Sequence, residues 1–249
     1  MSQSKQELRA QRRAHREALE QAHTAADTRR RRLFRLGAAV ASAVVIVAIA
    51  AVVSTSSNGA PKSVTASTVV QGVPETNGVL GDPNAPVTVT EYVDLQCPVC
   101  AQASTNTLPT LIEDYVKTGK VKLEARTLHF LGPDSTTAAK VAAGAQQQNK
   151  LWSFLETFYA NQGSENSGYV TDDFLKSVAT TAGVNADQAL EYAKTDPATA
   201  ALDKANADAQ AVGADSTPTF TIKRGDGQET TLAVGATDLT TALDKALAG

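Results

Sequence analysis

The two cysteines of this chain, Cys97 and Cys100, are separated only by Pro98 and Val99. A strand-like stretch, VTVTEYVD, precedes them, and a helix-like stretch, AQASTNTLPTLIEDYV, follows. Backbone N–H groups converge at the start of a helix, and their field favours a thiolate over a thiol. This position therefore favours thiol–disulfide exchange: Cys97 lies at the converging N–H groups, and Cys100 lies one turn further on, able to close a disulfide with it.

A zinc site and a structural disulfide are weaker interpretations of the cysteine pair. A structural zinc site needs four ligands, but there is no second cysteine pair, and His15 and His23 precede the apolar segment described below, which leaves His129. A purely structural disulfide across so short a loop would contribute about 2 kcal/mol at best. We expect no metal and no cofactor, and neither a glycine-rich phosphate loop nor a paired-carboxylate site stands out.

An uncharged apolar segment predicts a membrane anchor at residues 36–54. Residues 36–53 read LGAAVASAVVIVAIAAVV, which is about the minimum length for a membrane helix. The net charge is +6 over residues 1–35 and −9 over residues 37–249. The positive-inside rule makes residues 1–35 a basic cytoplasmic tail and puts the C-terminal bulk outside the cell membrane. A cytoplasmic flank of a membrane anchor explains the run of arginines just before the apolar segment, so nucleic-acid binding is not expected. A cleaved signal peptide is the alternative, although its charged and apolar regions would be unusually long.

The rest of the chain predicts an α/β fold. Residues 55–79, rich in Ser, Thr, Gly and Val, indicate a linker. From 80 to 249 the order is β, α, β, a helical block at about 133–212, then β, β, α, which is a thioredoxin-like core with an inserted helical domain. Pro109 should kink the cysteine helix. We expect one group of aromatic residues to build the core of the insertion: Phe130, Trp152, Phe154, Phe158 and Tyr159.

Three stretches carry a resemblance to a known family. GDPNAPVTVTEYVDLQCPVC, the helical block and DSTPTF before a late hairpin together resemble the DsbA-like family of exported thiol–disulfide oxidoreductases, over residues 80–249. The resemblance implies that Cys97 is the more exposed nucleophile and Cys100 the buried resolving thiol, acting through a mixed disulfide. The family often has His where this chain has Val99. Stabilisation of the thiolate would then rest on helix N–H groups, and the pKa of Cys97 would be less depressed.

Two carboxylates before the cysteines are candidates for supporting roles. Glu91 lies six residues before Cys97, where related enzymes carry a buried acid, and it shares strand parity with the apolar Val87, Val89 and Val93. A buried carboxyl there would have a raised pKa and could exchange a proton with the resolving thiol. A strand-edge glutamate facing solvent is the alternative. Asp94 has the opposite parity and could cap the cysteine helix.

Pro218 is the third element of the expected site. The resemblance implies that the Thr217–Pro218 bond is cis and lies against the cysteine pair, which leaves the backbone groups of Thr217 free to pair with an extended substrate. The alternative is a trans proline at the start of a strand.

The expected function is that of a membrane-anchored, extracytoplasmic oxidoreductase that oxidises exported cysteine-containing proteins. The resemblance implies a membrane quinone-linked partner for reoxidation. A reductase or isomerase of exported disulfides is an alternative, as is a non-catalytic binding or chaperone module. Retention of both cysteines with the Thr-Pro pair disfavours the last.

Overall fold

Strands and helices alternate around one mixed sheet. The computed structural model describes residues 63–227, 229–232 and 239–248. The elements are, in chain order, β1 (Glu75–Thr76), β2 (Val79–Leu80), β3 (Val87–Asp94), α1 (Pro98–Asn106), α2 (Leu108–Leu111) with a π-helical turn (Ile112–Val116), β4 (Val121–Leu128), α3 (Pro133–Gln146), α4 (Leu151–Tyr159), α5 (Asp172–Thr181), α6 (Ala186–Tyr192), α7 (Asp196–Val212), β5 (Thr219–Arg224), β6 (Thr230–Leu232) and α8 (Leu239–Ala248).

The central strand of the sheet leads directly to the cysteine motif. The strand order is β1-β2-β4-β3-β5-β6. β3 and β4 are parallel, and the other neighbouring pairs are antiparallel. A parallel pair needs a crossover connection, which α1 and α2 supply here. The central strand β3 thus ends at Asp94, shortly before Pro98, the first residue of α1, and carries the cysteine motif at its C-terminal end.

Prolines determine where the cysteine helix begins and ends. Pro98 occupies the first turn of α1, where its missing N–H costs nothing and its fixed φ suits the helix. α1 ends at Asn106, and α2 restarts at Leu108 with Pro109 in its first turn. A proline inside one continuous helix would clash with the preceding turn. The predicted interruption at Pro109 is therefore present.

Both faces of β3 are covered, which explains why seven of its eight residues are buried. Its odd-numbered residues Val87, Val89 and Val93 belong to the main core, together with side chains of α1, α4 and α8. On the opposite face Tyr92 packs with Leu128 and with alanines of α7. Glu91 shares the parity of the valines, and its neighbours across the sheet are Ala125 and Phe220. It therefore faces the main core.

The helices between Pro133 and Val212 occupy the range predicted for the insertion. Trp152, Phe154, Phe158 and Tyr159 are buried, as predicted. The prediction for Phe130 is wrong, because its side chain is 53% exposed. The chain leaves the sheet at Leu128, and Phe130 therefore lies in the loop before α3 rather than in a strand or helix.

The folded unit begins earlier than residue 80. β1 and β2 lie in or at the edge of the expected linker 55–79, and β2 pairs with β4. Val70 is buried, and the indole N–H of Trp152 donates to the carbonyl of Gly78 at 3.0 Å. Strands of two residues in a Ser/Thr/Gly-rich stretch leave too short a pattern to be recognised from sequence.

The predicted anchor at residues 36–54 and the basic tail before it lie outside the described residues. Within the described ranges, no helix is both long enough and apolar enough to cross a membrane.

Candidate active site

Cys97 is the residue that begins the helix. It is the N-cap of α1, its N–H donates to the carbonyl of Asp94 at 2.9 Å, and its own carbonyl accepts from the N–H of Ala101 at 3.3 Å. Cys97 is 5% exposed and Cys100 is 1% exposed, whereas Val99 between them is 40% exposed. Cys97 is thus the more accessible of two largely buried thiols, beside an exposed Pro98–Val99 surface.

The two thiols differ sharply in acidity. The pKa of Cys97 is lowered to about 6, chiefly because the Cys100 thiol donates a hydrogen bond to its sulfur; N–H groups of Val99 and Cys100 also lower it, and burial opposes them. Burial and the same hydrogen bond raise the pKa of Cys100. At neutral pH the pair therefore carries its negative charge on Cys97, the position that the sequence predicted for the thiolate.

The loop before β5 lies against Cys97. The sulfur of Cys97 is 3.3 Å from the carbonyl oxygen of Thr217, and the Thr217–Pro218 peptide bond is cis, as expected. Thr217 is 7% exposed, and a hydrogen bond from its side chain helps to lower the pKa of Cys97. The structure thus brings Thr217, and with it the cis bond to Pro218, to Cys97.

Asp94 does not cap the cysteine helix, contrary to the expected role. No side chain caps α1. The fully buried Asp94 carboxylate instead accepts from the N–H of Gln96 at 2.9 Å, the N–H of Leu131 at 3.2 Å and the hydroxyl of Ser135 at 2.7 Å. Ser135 lies in the first turn of α3, so Asp94 ties the end of β3 to the insertion. A partner so distant in sequence leaves no local signal.

A second link between the insertion and the cysteine motif was also missed by sequence reasoning. In the loop between α4 and α5, the amide of Gln162 donates to the carbonyls of Leu95 at 2.8 Å and Cys97 at 3.2 Å. The amide of Gln96 donates to the hydroxyl of Tyr169 at 2.9 Å. These bonds fix the segment that joins β3 to α1, and hence the position of Cys97.

Two buried carboxyls lie beneath the cysteine pair, although the sequence pattern singled out only one. Glu91 is 7% exposed, and its pKa is raised to about 8, first by burial and then by the like charge of Glu156. Glu156 is 2% exposed, and burial raises its pKa to about 8. The charge of Glu91 in turn raises the pKa of Cys100. The missed signal was Glu156 itself, the one charged residue in LWSFLETFY.

Within the described residues, no group of three or more His, Cys, Asp or Glu side chains is placed to hold a metal ion.

A family model described as "Thioredoxin" matches residues 74–245. The chain belongs to the thioredoxin family. Among curated proteins it is 36% identical over 101 residues to a "Probable disulfide bond formation protein D" of Bacillus cereus, covering 40% of this chain and 47% of that protein. It is 31% identical over 114 residues to the "Disulfide bond formation protein D" of Bacillus subtilis, covering 44% and 51%. The matches thus span about half the length of these relatives.

Solved structures show the same fold. The oxidised BdbD of Bacillus subtilis superposes with a TM-score of 0.62 at 23% identity, covering 77% of this chain and all of that one. DsbA of Chlamydia trachomatis gives a TM-score of 0.57 at 20% identity, covering 69% and 89%. The thioredoxin-family fold with helices inserted, expected from the DsbA-like resemblance, is therefore shown.

Proposed function

We propose that this chain is a membrane-anchored, extracytoplasmic thiol–disulfide oxidoreductase that oxidises cysteines of exported proteins through Cys97 and Cys100. The observation that carries this proposal is the unequal acidity of the pair. The pKa of Cys97 is lowered to about 6, whereas that of its buried neighbour Cys100 is raised. The names of the curated relatives, both disulfide bond formation proteins, support the same chemistry.

Oxidation of a substrate proceeds in two exchanges. A substrate thiolate attacks the Cys97 sulfur of the enzyme disulfide; the Cys97–Cys100 bond breaks, a bond between Cys97 and the substrate forms, and Cys100 leaves as a thiolate. That buried thiolate takes a proton from the Glu91 carboxyl. The substrate's second thiolate then attacks its own sulfur in the mixed disulfide and releases Cys97 as a thiolate. Two electrons pass from substrate to enzyme.

The low pKa of Cys97 favours this direction. A thiol with a lower pKa is a better leaving group, so the second exchange releases Cys97 readily. The same interactions stabilise the reduced enzyme at neutral pH, which makes its disulfide a stronger oxidant. Val99 contributes no charge here, and the acidity of Cys97 rests on hydrogen bonds from Cys100, from the Thr217 side chain and from backbone N–H groups.

The surface around the motif suits an extended substrate. Pro98 and Val99 are exposed, and the carbonyl oxygen of Thr217 lies 3.3 Å from the Cys97 sulfur. A substrate strand alongside Thr217 could pair with its backbone and present a cysteine to Cys97. Reoxidation would pass the two electrons to a quinone-linked membrane partner, near which residues 36–54 would hold the domain.

Trapping of substrates tests the chemistry. Cys100→Ser lacks the resolving thiol and should accumulate mixed disulfides through Cys97 with a disulfide-linked peptide dimer, because the Cys97 thiolate breaks the peptide disulfide and releases one peptide as a thiolate. The mixed disulfide is visible on non-reducing gels, and Cys97→Ser should form none. Absence of mixed disulfides in both variants would point to a non-catalytic module. External protease on intact cells tests the anchor: it should remove the cysteine domain and spare residues 1–35, and a mature protein starting near Ser54 would contradict the anchor.

A further inference from the structure

Glu156 is a buried acid that the exchange reactions above leave without a role. It is the one charged residue of α4, it is 2% exposed, and the adjacent Leu155 and Thr157 are buried as well. An ionised carboxylate loses its hydration in such a place. If the only role of this residue were to pack in the core, an apolar side chain would stabilise the fold more than a buried glutamate does.

Glu156 is connected to the cysteine helix through Ser104. The hydroxyl of Ser104 donates to the Oε2 atom of Glu156. Ser104 lies four residues after Cys100, so both side chains lie on the same face of α1, and both are buried. This bond joins α4 to the helix that carries the resolving thiol.

Glu91 completes the cluster from the sheet. The charge of Glu91 acts on the Cys100 thiol of α1, and the charges of Cys100, Glu91, Glu156 and Asp94 act on the Tyr159 hydroxyl of α4. Among the described residues, no Lys, Arg or His is found among the groups that act on either carboxyl. Two like charges without a counter-ion cannot both persist in a buried site, so the pair retains a proton near neutral pH.

The two carboxyls are not equivalent. Glu156 accepts the Ser104 hydroxyl, which favours its ionised form. Among the described residues, no hydrogen-bond donor reaches the Glu91 carboxyl. The charge therefore belongs on Glu156 and the proton on Glu91, the carboxyl whose charge acts on Cys100.

We propose that Glu156 is a positioning residue which, held by Ser104, keeps one proton on Glu91 for transfer to and from Cys100. The role in transfer rests on the proposed function. When the enzyme disulfide opens, Glu91 gives this proton to the departing Cys100 thiolate. When the disulfide closes again, Cys100 returns the proton to the Glu91 carboxylate and its sulfur attacks the mixed disulfide. No other acid or base is required.

The test is an infrared titration of the carboxylic acid C=O band in the full chain in detergent, with the enzyme disulfide closed so that the thiols do not titrate. Glu156→Gln should lower the midpoint at which the last buried acid loses its proton by about one pH unit, because the like charge is gone. Ser104→Ala should raise that midpoint, because the ionised pair loses a donor. Glu191→Gln, an exposed charge on the insertion, should leave it unchanged.

Shifts of opposite sign in the two variants distinguish coupling from general loosening of the core, which would move both in one direction. Midpoints that match the wild type in Glu156→Gln and Ser104→Ala, with disulfide exchange intact, would overturn this inference alone. Opposite shifts together with no exchange at any pH would overturn the proposed function, and with it the proton transfer to Cys100. If Glu156→Gln does not fold, Ser104→Ala decides alone: a raised midpoint supports the inference, and an unchanged or lowered midpoint overturns it.

Discussion

The Cys97 sulfur lies 3.3 Å from the carbonyl oxygen of Thr217, a residue 120 positions away in the chain. This contact joins the start of α1 to the loop before β5. The loop therefore forms one wall of the site at which a substrate sulfur must approach Cys97. Val99, beside Cys97 in the motif, is 40% exposed, so the motif is open to an approaching substrate.

Cys97 should be alkylated before Cys100, with a rate midpoint near pH 6. The lowered pKa of Cys97 depends first on the hydrogen bond from Cys100. Cys100→Ala should therefore move the midpoint upward by about one pH unit. Brief alkylation across a pH series followed by mass spectrometry measures both. Preferential labelling of Cys100 in the wild type would contradict the assignment of the nucleophile.

Thr217→Val should raise the pKa of Cys97, because a hydrogen bond from the Thr217 side chain helps to lower it. Thr219→Val is the matched control. Its hydroxyl donates to the carbonyl of Ser216 at 2.7 Å, so this change should lower the free energy of unfolding by about 1 kcal/mol and leave the pKa of Cys97 unchanged. Alkylation rates across a pH series measure the pKa, and urea denaturation measures the stability. A Cys97 midpoint that matches the wild type in Thr217→Val would show that the Thr217 hydroxyl does not act on the thiolate.

Asp94→Ala should lower the free energy of unfolding by about 3 kcal/mol, because several donors in the buried site lose their acceptor at once. Ser135→Ala removes one of those donors and should cost about 1 kcal/mol. Chemical denaturation of the two variants and the double variant gives the coupling. Additive losses would mean that Asp94 acts independently of α3.

The stability of the fold should depend on pH through the two buried glutamates. Glu91 and Glu156 have pKa values raised from 4.5 to about 8. Between pH 4.5 and about 8 the folded chain binds more protons than the unfolded chain, so the free energy of unfolding should fall as the pH rises. Below pH 4.5 the full stabilising contribution of the two protonated carboxyls should be present. Glu156→Gln should reduce the slope by up to about 1.4 kcal/mol per pH unit. A slope as steep as that of the wild type would contradict burial of an ionisable Glu156.

The sequence predicted the parts of the site that lie close together in the chain. The strand before Cys97, the helix after it and the inward direction of Glu91 follow from local periodicity and offset. Pro218 was found through the resemblance. Glu156, Ser104 and Gln162 were missed because their partners lie on other elements, and pairing between α1 and α4 leaves no periodic signal. Phe130 was misplaced because an aromatic side chain predicts burial, whereas the chain leaves the sheet at Leu128 and Phe130 lies exposed in the loop before α3.

The reduction potential of the Cys97–Cys100 pair, measured by equilibration with glutathione, tests the central claim most directly. Because Cys97 is stabilised as a thiolate, we predict an oxidising potential, clearly above the value of about −270 mV that is typical of thioredoxin and towards the value of about −120 mV that is typical of DsbA. A potential at or below about −270 mV would identify a reductase and contradict the proposed oxidase function.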